Sequence, residues 1–309
     1  MIRYTILRLV QALPVLAVVA SLTFALLRFL PGGPFDRERT LPPEIRRNIE
    51  ARYRLDAPLA RQYVDYMAGL ARGDLGPSYK YVGRDVGQIL REAFPVSAAL
   101  GALAFLLALL GGVPLGLIAG VRRGSRLDRS LTLLSLLGVS LPSFVLGALL
   151  ILVVGLWAGW LPAALWEGPR HAILPALTLA ALPAAYVAQL TRSTVVEVVA
   201  LDHVRTARAK GLPELRVQLV HVLRNSLLAV VTYFGPLLAM LLTGSFIVEQ
   251  IFAIPGAGRF FVTAVTNRDY PLVLGVTLLY GGLVVIANLV VDLLYAWLDP
   301  RIRLGGRAR

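Results

Sequence analysis

Six long stretches without Asp, Glu, Lys or Arg constrain the fold of this chain more than any other feature. They run from 19 to 37 residues, at Leu9–Leu27, Ala93–Val121, Ser130–Trp166, His171–Thr191, Asn225–Val248 and Tyr270–Val291. A helix that crosses the hydrocarbon core of a membrane needs roughly 20 apolar residues, whereas a spanning β-strand needs about 10 residues of alternating polarity. We therefore predict an all-α membrane protein with six transmembrane helices. A water-soluble enzyme and a transmembrane β-barrel are excluded.

The apolar stretches also predict how the chain is organised. We place the six spans at Leu7–Leu30, Val96–Gly120, Leu131–Leu156, Ile173–Thr191, Ser226–Ile247 and Leu272–Tyr295. Residues 1–30 are then the cytoplasmic N-terminus and first span, 31–95 a folded external segment with helical patterning at Pro42–Glu50, 96–298 the core of spans two to six with a cytoplasmic loop at 192–224, and 299–309 a basic cytoplasmic tail. The third stretch is too long for one crossing, so we expect its end to form an external loop.

Basic residues are distributed unevenly among the connections. One set of connections holds 16 of them: Arg3, Arg8, Arg122, Arg123, Arg126, Arg129, Arg192, Arg205, Arg208, Lys210, Arg216, Arg224, Arg301, Arg303, Arg307 and Arg309. The short opposite loops hold three: Arg170, Arg259 and Arg268. Because short cytoplasmic loops are enriched in Lys and Arg, we expect both termini in the cytoplasm. The net charge of +13 is assigned to these flanks in contact with membrane lipid, so no nucleic acid partner is predicted.

The sequence has none of the common motifs for catalysis or cofactor binding. It contains no Cys, which excludes disulfides, thiol nucleophiles and Cys-ligated metals. Its three histidines, His171, His203 and His221, form no metal-binding pair and are interpreted as unrelated surface or interface residues. It has no Gly-Lys dipeptide, so a phosphate loop is excluded. We therefore expect that the chain is not an enzyme and has no catalytic residue, cofactor or metal of its own.

Glycines and prolines mark the spans. Gly112, Gly116 and Gly120 recur at every fourth position, a spacing that lets helix backbones approach closely. Prolines lie inside the spans or at their edges, at Pro14, Pro114, Pro142, Pro175, Pro183 and Pro236. Close helix packing is the first interpretation of these residues, and a bundle of kinked, movable helices is the second.

The cytoplasmic loop at 192–224 predicts a short basic helix. Asp202 suits its N-cap, and Arg208 suits the dipole at its C-terminal end. Gly211 can then adopt the left-handed cap conformation, and Pro213 blocks continuation of the helix. Such a helix is either a solvated connector or a rigid element that transmits force from a partner.

The same loop resembles a known family. The residues Asp202-His203-Val204-Arg205-Thr206-Ala207-Arg208-Ala209-Lys210-Gly211-Leu212, followed by His221-Val222-Leu223-Arg224-Asn225, resemble the coupling loop of the first permease subunit of dipeptide and oligopeptide ABC importers. Further stretches extend the resemblance over essentially the whole chain: Met1–Pro34, Gly73–Ser78, Ser140–Gly147, Glu249–Arg259 and Asn267–Pro271.

This resemblance implies a type I ABC importer permease bundle and a set of partners. The partners are a second homologous permease subunit, two ATP-binding subunits that hold ATP and Mg, an external substrate-binding protein and a peptide substrate. The implied ATPase-coupling residues are Asp202, Val204, Arg205, Thr206, Ala207, Arg208, Lys210 and Gly211. The implied gate or external mouth comprises Glu249, Pro255, Gly256, Arg268 and Asp269, and a re-entrant turn with packing roles only is the alternative there.

Other functions stay open at this point. Within the family, a nickel, glutathione or other small-solute importer has the same architecture. An ion-coupled secondary transporter is the alternative of another class, and a structural scaffold is a third. Asp292 lies near the cytoplasmic end of the sixth span, and no acidic residue sits clearly at a membrane midplane, which argues against ion coupling.

Overall fold

The computed structural model describes residues 2–29, 33–35, 53, 55–243 and 246–298, and these residues are mostly helical. The helices are α1 (Ile2–Phe29), α2 (Leu59–Ala71), α3 (Val86–Val121), α4 (Arg126–Ser140), α5 (Ser143–Leu150, continued by a π-helix at Ile151–Trp157), α6 (Pro169–Val199), α7 (Asp202–Ala209), α8 (Glu214–Arg216, continued by a π-helix at Val217–Leu223), α9 (Arg224–Leu242), α10 (Phe246–Ile251), α11 (Ala257–Asn267) and α12 (Tyr270–Leu298). The expected helix at Pro42–Glu50 and the tail at 299–309 lie outside the described residues.

The all-α membrane fold is confirmed. Among the described residues, five helical segments are long and apolar enough to cross a membrane: Thr5–Phe29, Val86–Val121, Pro169–Val199, Val230–Ile251 and Tyr270–Val290. The pair α4 and α5 meets the same criterion together, which brings the number of candidate spans to six. Large apolar side chains on these helices, such as Leu13, Leu26 and Leu110, are at least 66% exposed, as expected for surfaces that lie in lipid or against partner subunits.

The prediction of one continuous third span at Leu131–Leu156 is wrong. The axes of α4 and the helix that follows it are bent by 103° at a short break. Leu141 is extended, with φ −82° and ψ 120°, and Pro142 has the non-helical ψ of 139°. A proline has no N–H to donate and disfavours the helical conformation of the residue before it. The chain therefore leaves the helix at Leu141 and begins a new one at Ser143.

Contacts divide the chain into two units, which we describe separately. The first comprises Ala98–Ile254 and the C-terminal part of the chain from Ile286. Close packing of α3 against α6 within it confirms the interpretation of the spaced glycines. A Cβ placed on Gly112 would lie 2.6 Å from the Ala184 carbonyl oxygen, and one on Gly116 would lie 2.4 Å from that of Ala188. We call Gly112, Gly116 and Gly120 the glycine seam.

The second unit comprises Ile2–Ser97 and Pro255–Val285. Its apolar core lies where the N-terminal part of α3 packs against α12. Fully buried residues there include Val86, Ile89, Leu272 and Val276. The helix α3 already begins at Val86, inside the segment that the sequence assigns to the outside. The loop between α2 and α3, residues 72–85, is therefore held close to a well-packed core.

Candidate functional site

The short helix predicted in the cytoplasmic loop is confirmed as α7. Its N-cap is Leu201, which is extended and makes no side-chain cap, so the assignment of the cap to Asp202 is wrong by one residue. Asp202 is instead the first helical residue, where its negative charge favours the positive end of the helix dipole. Gly211 has φ +72°, the left-handed conformation expected after the helix. This conformation turns the chain back so that the Leu212 N–H donates to the Ala207 carbonyl oxygen at 3.4 Å, beside the bond from the Gly211 N–H to the Arg208 carbonyl oxygen at 2.9 Å.

One face of α7 is anchored to the first unit. Val204 is 0% exposed and Ala207 is 4% exposed. They pack with Leu117 of α3, Val195 of α6 and the helical run that follows α7. Residues three apart lie on the same side of a helix, so these two side chains form one apolar stripe. Two of the eight expected coupling residues therefore fix α7 to the bundle and do not reach its outer surface.

The opposite face of α7 is exposed and basic. The other expected coupling residues are all exposed: Asp202, Arg205, Thr206 and Arg208 lie on α7, and Lys210 and Gly211 directly follow its last residue, Ala209. The guanidinium of Arg205 lies 3.7 Å from the Asp202 carboxylate, and the two side chains are 73% and 97% exposed. Exposed pairs of this kind contribute only about 0–1 kcal/mol to folding. Arg205 therefore contributes little to folding, and its side chain is accessible on the side of α7 that faces away from the bundle.

The turn after α7 is closed by an ion pair. Arg208 donates to both carboxylate oxygens of Glu214, at 3.2 Å and 2.8 Å. These hydrogen bonds lower the pKa of Glu214, with a further contribution from Gln218. Because both side chains are substantially exposed, the pair orients the turn more than it stabilises the fold.

His203 links α7 to the start of α9. This contact is missed by the sequence interpretation, which treats the three histidines as unrelated. Its Nε2 lies 3.3 Å from the His221 carbonyl oxygen and 3.3 Å from Nδ2 of Asn225. Asn225 Nδ2 also donates to the His221 carbonyl oxygen at 2.7 Å. His203 lies in the first half of the motif that resembles the coupling loop, and His221 and Asn225 lie in the second half. The presence of both halves in the sequence is the signal that could have predicted this contact. The structure brings the two halves together.

In the second unit, Asp269 joins two distant loops. Its carboxylate accepts hydrogen bonds from the Ser78 hydroxyl and from the backbone N–H groups of Tyr79 at 3.1 Å and Lys80 at 3.3 Å. It also accepts from the N–H of Leu272 at 3.4 Å, at the start of α12. Asp269 is 0% exposed and Ser78 is 1% exposed. A buried carboxylate with this many donors fixes the conformation of the 72–85 loop.

The other residues expected at the gate or external mouth belong to different structural elements. Arg268 is left-handed, with φ +57°, caps α11 and donates to the Gly33 carbonyl oxygen at 3.2 Å. Pro255 precedes Gly256, which is the N-cap of α11. Glu249 is buried in α10 and belongs to the first unit. The segment from Glu249 to Pro271 is therefore largely helical.

A cavity of about 570 Å³ opens in the first unit beside α4, α6 and α9. Its lining residues are Thr132, Leu136, Tyr186, Gln189, Leu190, Arg192, Ser193 and Tyr233. Most of its polar groups are uncharged hydroxyls and an amide, which both donate and accept hydrogen bonds. Its one cationic residue, Arg192, is paired with Asp128 at 2.6 Å. Among the described residues, no group of three or more His, Cys, Asp or Glu is placed to hold a metal ion.

Comparison with known proteins places these features in a family. Residues 112–304 match the model of the binding-protein-dependent transport system inner membrane component, and residues 1–100 match its N-terminal model. The chain is 44% identical to the oligopeptide transport system permease protein OppB of Haemophilus influenzae over 98% of its length and 100% of that protein. It is 43% identical to the dipeptide transport system permease protein DppB of Bacillus subtilis, over 98% of this chain and 99% of that one.

Solved structures agree on the fold. An inward-facing form of the MetNI methionine ABC transporter superposes with a TM-score of 0.58 at 15% sequence identity, covering 69% of this chain and 97% of that one. A second crystal form gives a TM-score of 0.54 at 19% identity, with the same coverage. Both the family models and the full-length relatives point the same way, and the chain belongs to the family of inner membrane components of binding-protein-dependent transport systems.

Proposed function

We propose that this chain is one of two homologous permease subunits of an ATP-driven importer of dipeptides or oligopeptides. The single observation that carries the proposal is the two-faced helix α7, which is anchored through Val204 and Ala207 and presents Arg205 and Lys210 outward. A helix that is anchored on one side moves together with the bundle, and a partner that binds its exposed side can displace it. The names of the relatives, which are oligopeptide and dipeptide permeases, support the substrate class.

The partners follow from the same proposal. Two ATP-binding subunits, holding ATP and Mg, dock on α7 of this chain and on the corresponding helix of the second permease. Closure of the ATPase pair displaces α7, and the bundle changes from inward-facing to outward-facing. Since the sequence has no Gly-Lys dipeptide for a phosphate loop, ATP hydrolysis belongs to those partners.

In the proposed importer, α7 and both termini lie in the cytoplasm. The distribution of basic residues supports this orientation. Residues 31–95 and the segment from Glu249 to Pro271 then face an external binding protein. The Asp269 hydrogen bonds hold the 72–85 loop at this mouth. The neutral hydroxyl and amide groups around the 570 Å³ cavity suit a peptide, whose backbone both donates and accepts hydrogen bonds.

The variant Arg205→Glu tests the docking role of α7. Because the side chain is 73% exposed, the substitution leaves folding nearly unchanged, but it reverses the charge presented to the ATPase. We expect peptide uptake by the reconstituted complex to fall at least about tenfold, with normal amounts of the chain in the membrane. Arg123→Glu makes the same charge change at another exposed residue of the cytoplasmic side and is expected to transport normally. Equal uptake by the two variants contradicts the docking role.

Substrate competition tests the peptide assignment. Uptake of a labelled dipeptide is measured in proteoliposomes with the cognate binding protein, and unlabelled oligopeptide, nickel or glutathione is added in excess. The proposal expects competition by the oligopeptide alone. Competition by nickel or glutathione, with no uptake of the dipeptide, reassigns the substrate within the same family.

A further inference from the structure

An ion pair between the buried carboxylate of Asp128 and the partly exposed side chain of Arg192 joins α4 to α6 close to α7. Arg192 donates through Nε to one carboxylate oxygen of Asp128 at 2.6 Å and through Nη2 to the other at 2.9 Å. Asp128 is only 3% exposed, and its carboxylate also accepts from the Gly124 N–H at 2.9 Å. A bidentate arginine–carboxylate contact fixes direction as well as distance. The relative orientation of the two helices is thus set at this point.

The position of the pair connects it to α7. Arg192 lies about two turns before the end of α6 at Val199, and α7 begins at Asp202. Asp128 lies in the first turn of α4, whose N-cap Ser125 accepts a hydrogen bond from the Asp128 N–H at 3.1 Å. A displacement of α7 therefore reaches the pair through the two non-helical residues Ala200 and Leu201 and about two turns of α6.

The two sides of α6 are held differently. On one side, the glycine seam brings α3 into close contact with α6 through van der Waals packing of small residues. Such surfaces lack directional bonds and can slide. On the other side, the Asp128–Arg192 pair supplies two directional hydrogen bonds to α4. A displacement of α6 is therefore transmitted to α4 in the same direction.

We propose that Asp128 and Arg192 are positioning residues that make α4 move with α6 and α7 during the transport cycle. The inference rests on the proposed function of α7. Because α4 continues into α5 through the 103° bend, the pair carries the movement of the coupling helix into this broken span.

The double variant Asp128→Leu/Arg192→Met provides the test. It removes both charges together, so no unpaired charge stays buried. The variant is reconstituted with the second permease, the ATP-binding subunits and the binding protein. We expect normal assembly of the complex, but at least a tenfold decrease in the solute transported per ATP hydrolysed. The matched control Arg129→Met/Glu197→Leu removes one exposed charge of each sign from the same two helices and is expected to keep the wild-type ratio.

A second readout separates positioning from folding. Because the chain has no Cys, spin labels at Leu134→Cys on α4 and Glu197→Cys on α6 report one distance. We expect this distance to stay constant between the ATP-free and ATP-bound states of the wild type and to change in the double variant. If the double variant fails to accumulate, Arg192→Lys keeps the charge but not the bidentate contact, and it is expected to lower transport per ATP at least threefold.

The outcomes distinguish this inference from the proposed function. An unchanged ratio of transport to hydrolysis in the variants, with a wild-type complex that is coupled, overturns the positioning role alone. Absence of ATP-binding subunits from the wild-type complex overturns the proposed function, and the inference falls with it.

Discussion

Gly116→Val is expected to prevent α3 from packing against α6 and to remove most of the folded protein from the membrane. A Cβ at this position would lie 2.4 Å from the Ala188 carbonyl oxygen and 2.6 Å from Cβ of Thr191. The first of these atoms belongs to the helix backbone and cannot rotate away. Overpacking of this kind typically costs about 1–3 kcal/mol, and valine adds three carbons rather than one. Against a total stability of about 5–15 kcal/mol, this loss is large.

Gly111→Val is the matched control for this prediction. It is the same substitution in the same helix, but a Cβ on Gly111 has no atom within 4 Å. The amount of detergent-extracted protein and its melting temperature are measured for both variants. We expect Gly111→Val to behave as the wild type and Gly116→Val to be largely lost. If Gly116→Val melts within a degree of the wild type, the glycine seam does not set the helix separation.

Asp269→Ala is expected to loosen the 72–85 loop of the second unit and to lower its stability strongly. The substitution leaves the Ser78 hydroxyl and the N–H groups of Tyr79 and Leu272 without this acceptor, whereas the Lys80 N–H still has the Ser78 hydroxyl oxygen at 3.2 Å. Each buried donor left unpaired costs roughly 1–3 kcal/mol. A total of at least about 3 kcal/mol corresponds to a decrease in melting temperature of roughly 6–12 °C. We also expect faster proteolysis within the loop.

Asp74→Ala is the corresponding control. Asp74 lies in the same loop and accepts one hydrogen bond, from the Gly76 N–H at 2.8 Å, but it is exposed. Loss of this bond is expected to cost about 1 kcal/mol or less, because water replaces it. A larger effect of Asp74→Ala than of Asp269→Ala would show that the buried carboxylate does not hold the loop.

Local patterns in the sequence were enough to predict the helical framework. The charge-free stretches predict the apolar helices, because hydrocarbon requires a backbone that satisfies its own hydrogen bonds. The capping residues around Asp202 and Gly211 predict α7 to within a residue. The four-residue spacing of Gly112, Gly116 and Gly120 predicts a close helix contact, although not that α6 is the partner.

The break in the third span is the clearest difference between the predicted spans and the structure. Pro142 lies inside the span that we predict at Leu131–Leu156. The restriction that a proline places on the residue before it favours a break at Leu141, and the structure has a 103° bend there.

Contacts between distant residues could not be predicted from local pattern at all. Asp269 and Ser78 are 191 positions apart, and Asp128 and Arg192 are 64 positions apart. In the sequence, Asp128, Arg192 and Asp269 resemble ordinary charged residues near the ends of apolar stretches, and Ser78 resembles an ordinary loop residue. Only the packing of the helices shows that each carboxylate is buried and multiply hydrogen-bonded. This is why the sequence indicates Arg192 only as a flanking basic residue and does not indicate Asp128 as its partner.

Site-specific cross-linking from α7 tests the central claim, that this helix docks on an ATP-binding subunit. Because the chain has no Cys, Ala209→Cys provides a unique attachment point for a photoactivated cross-linker on the exposed face. Trp160→Cys, on a residue that is 71% exposed in the loop expected outside, is the control. Native membranes are irradiated and the adducts identified. The account predicts an ATP-binding subunit attached at position 209 and absent at position 160. No ATP-binding subunit at position 209, or the same yield at both positions, would contradict it.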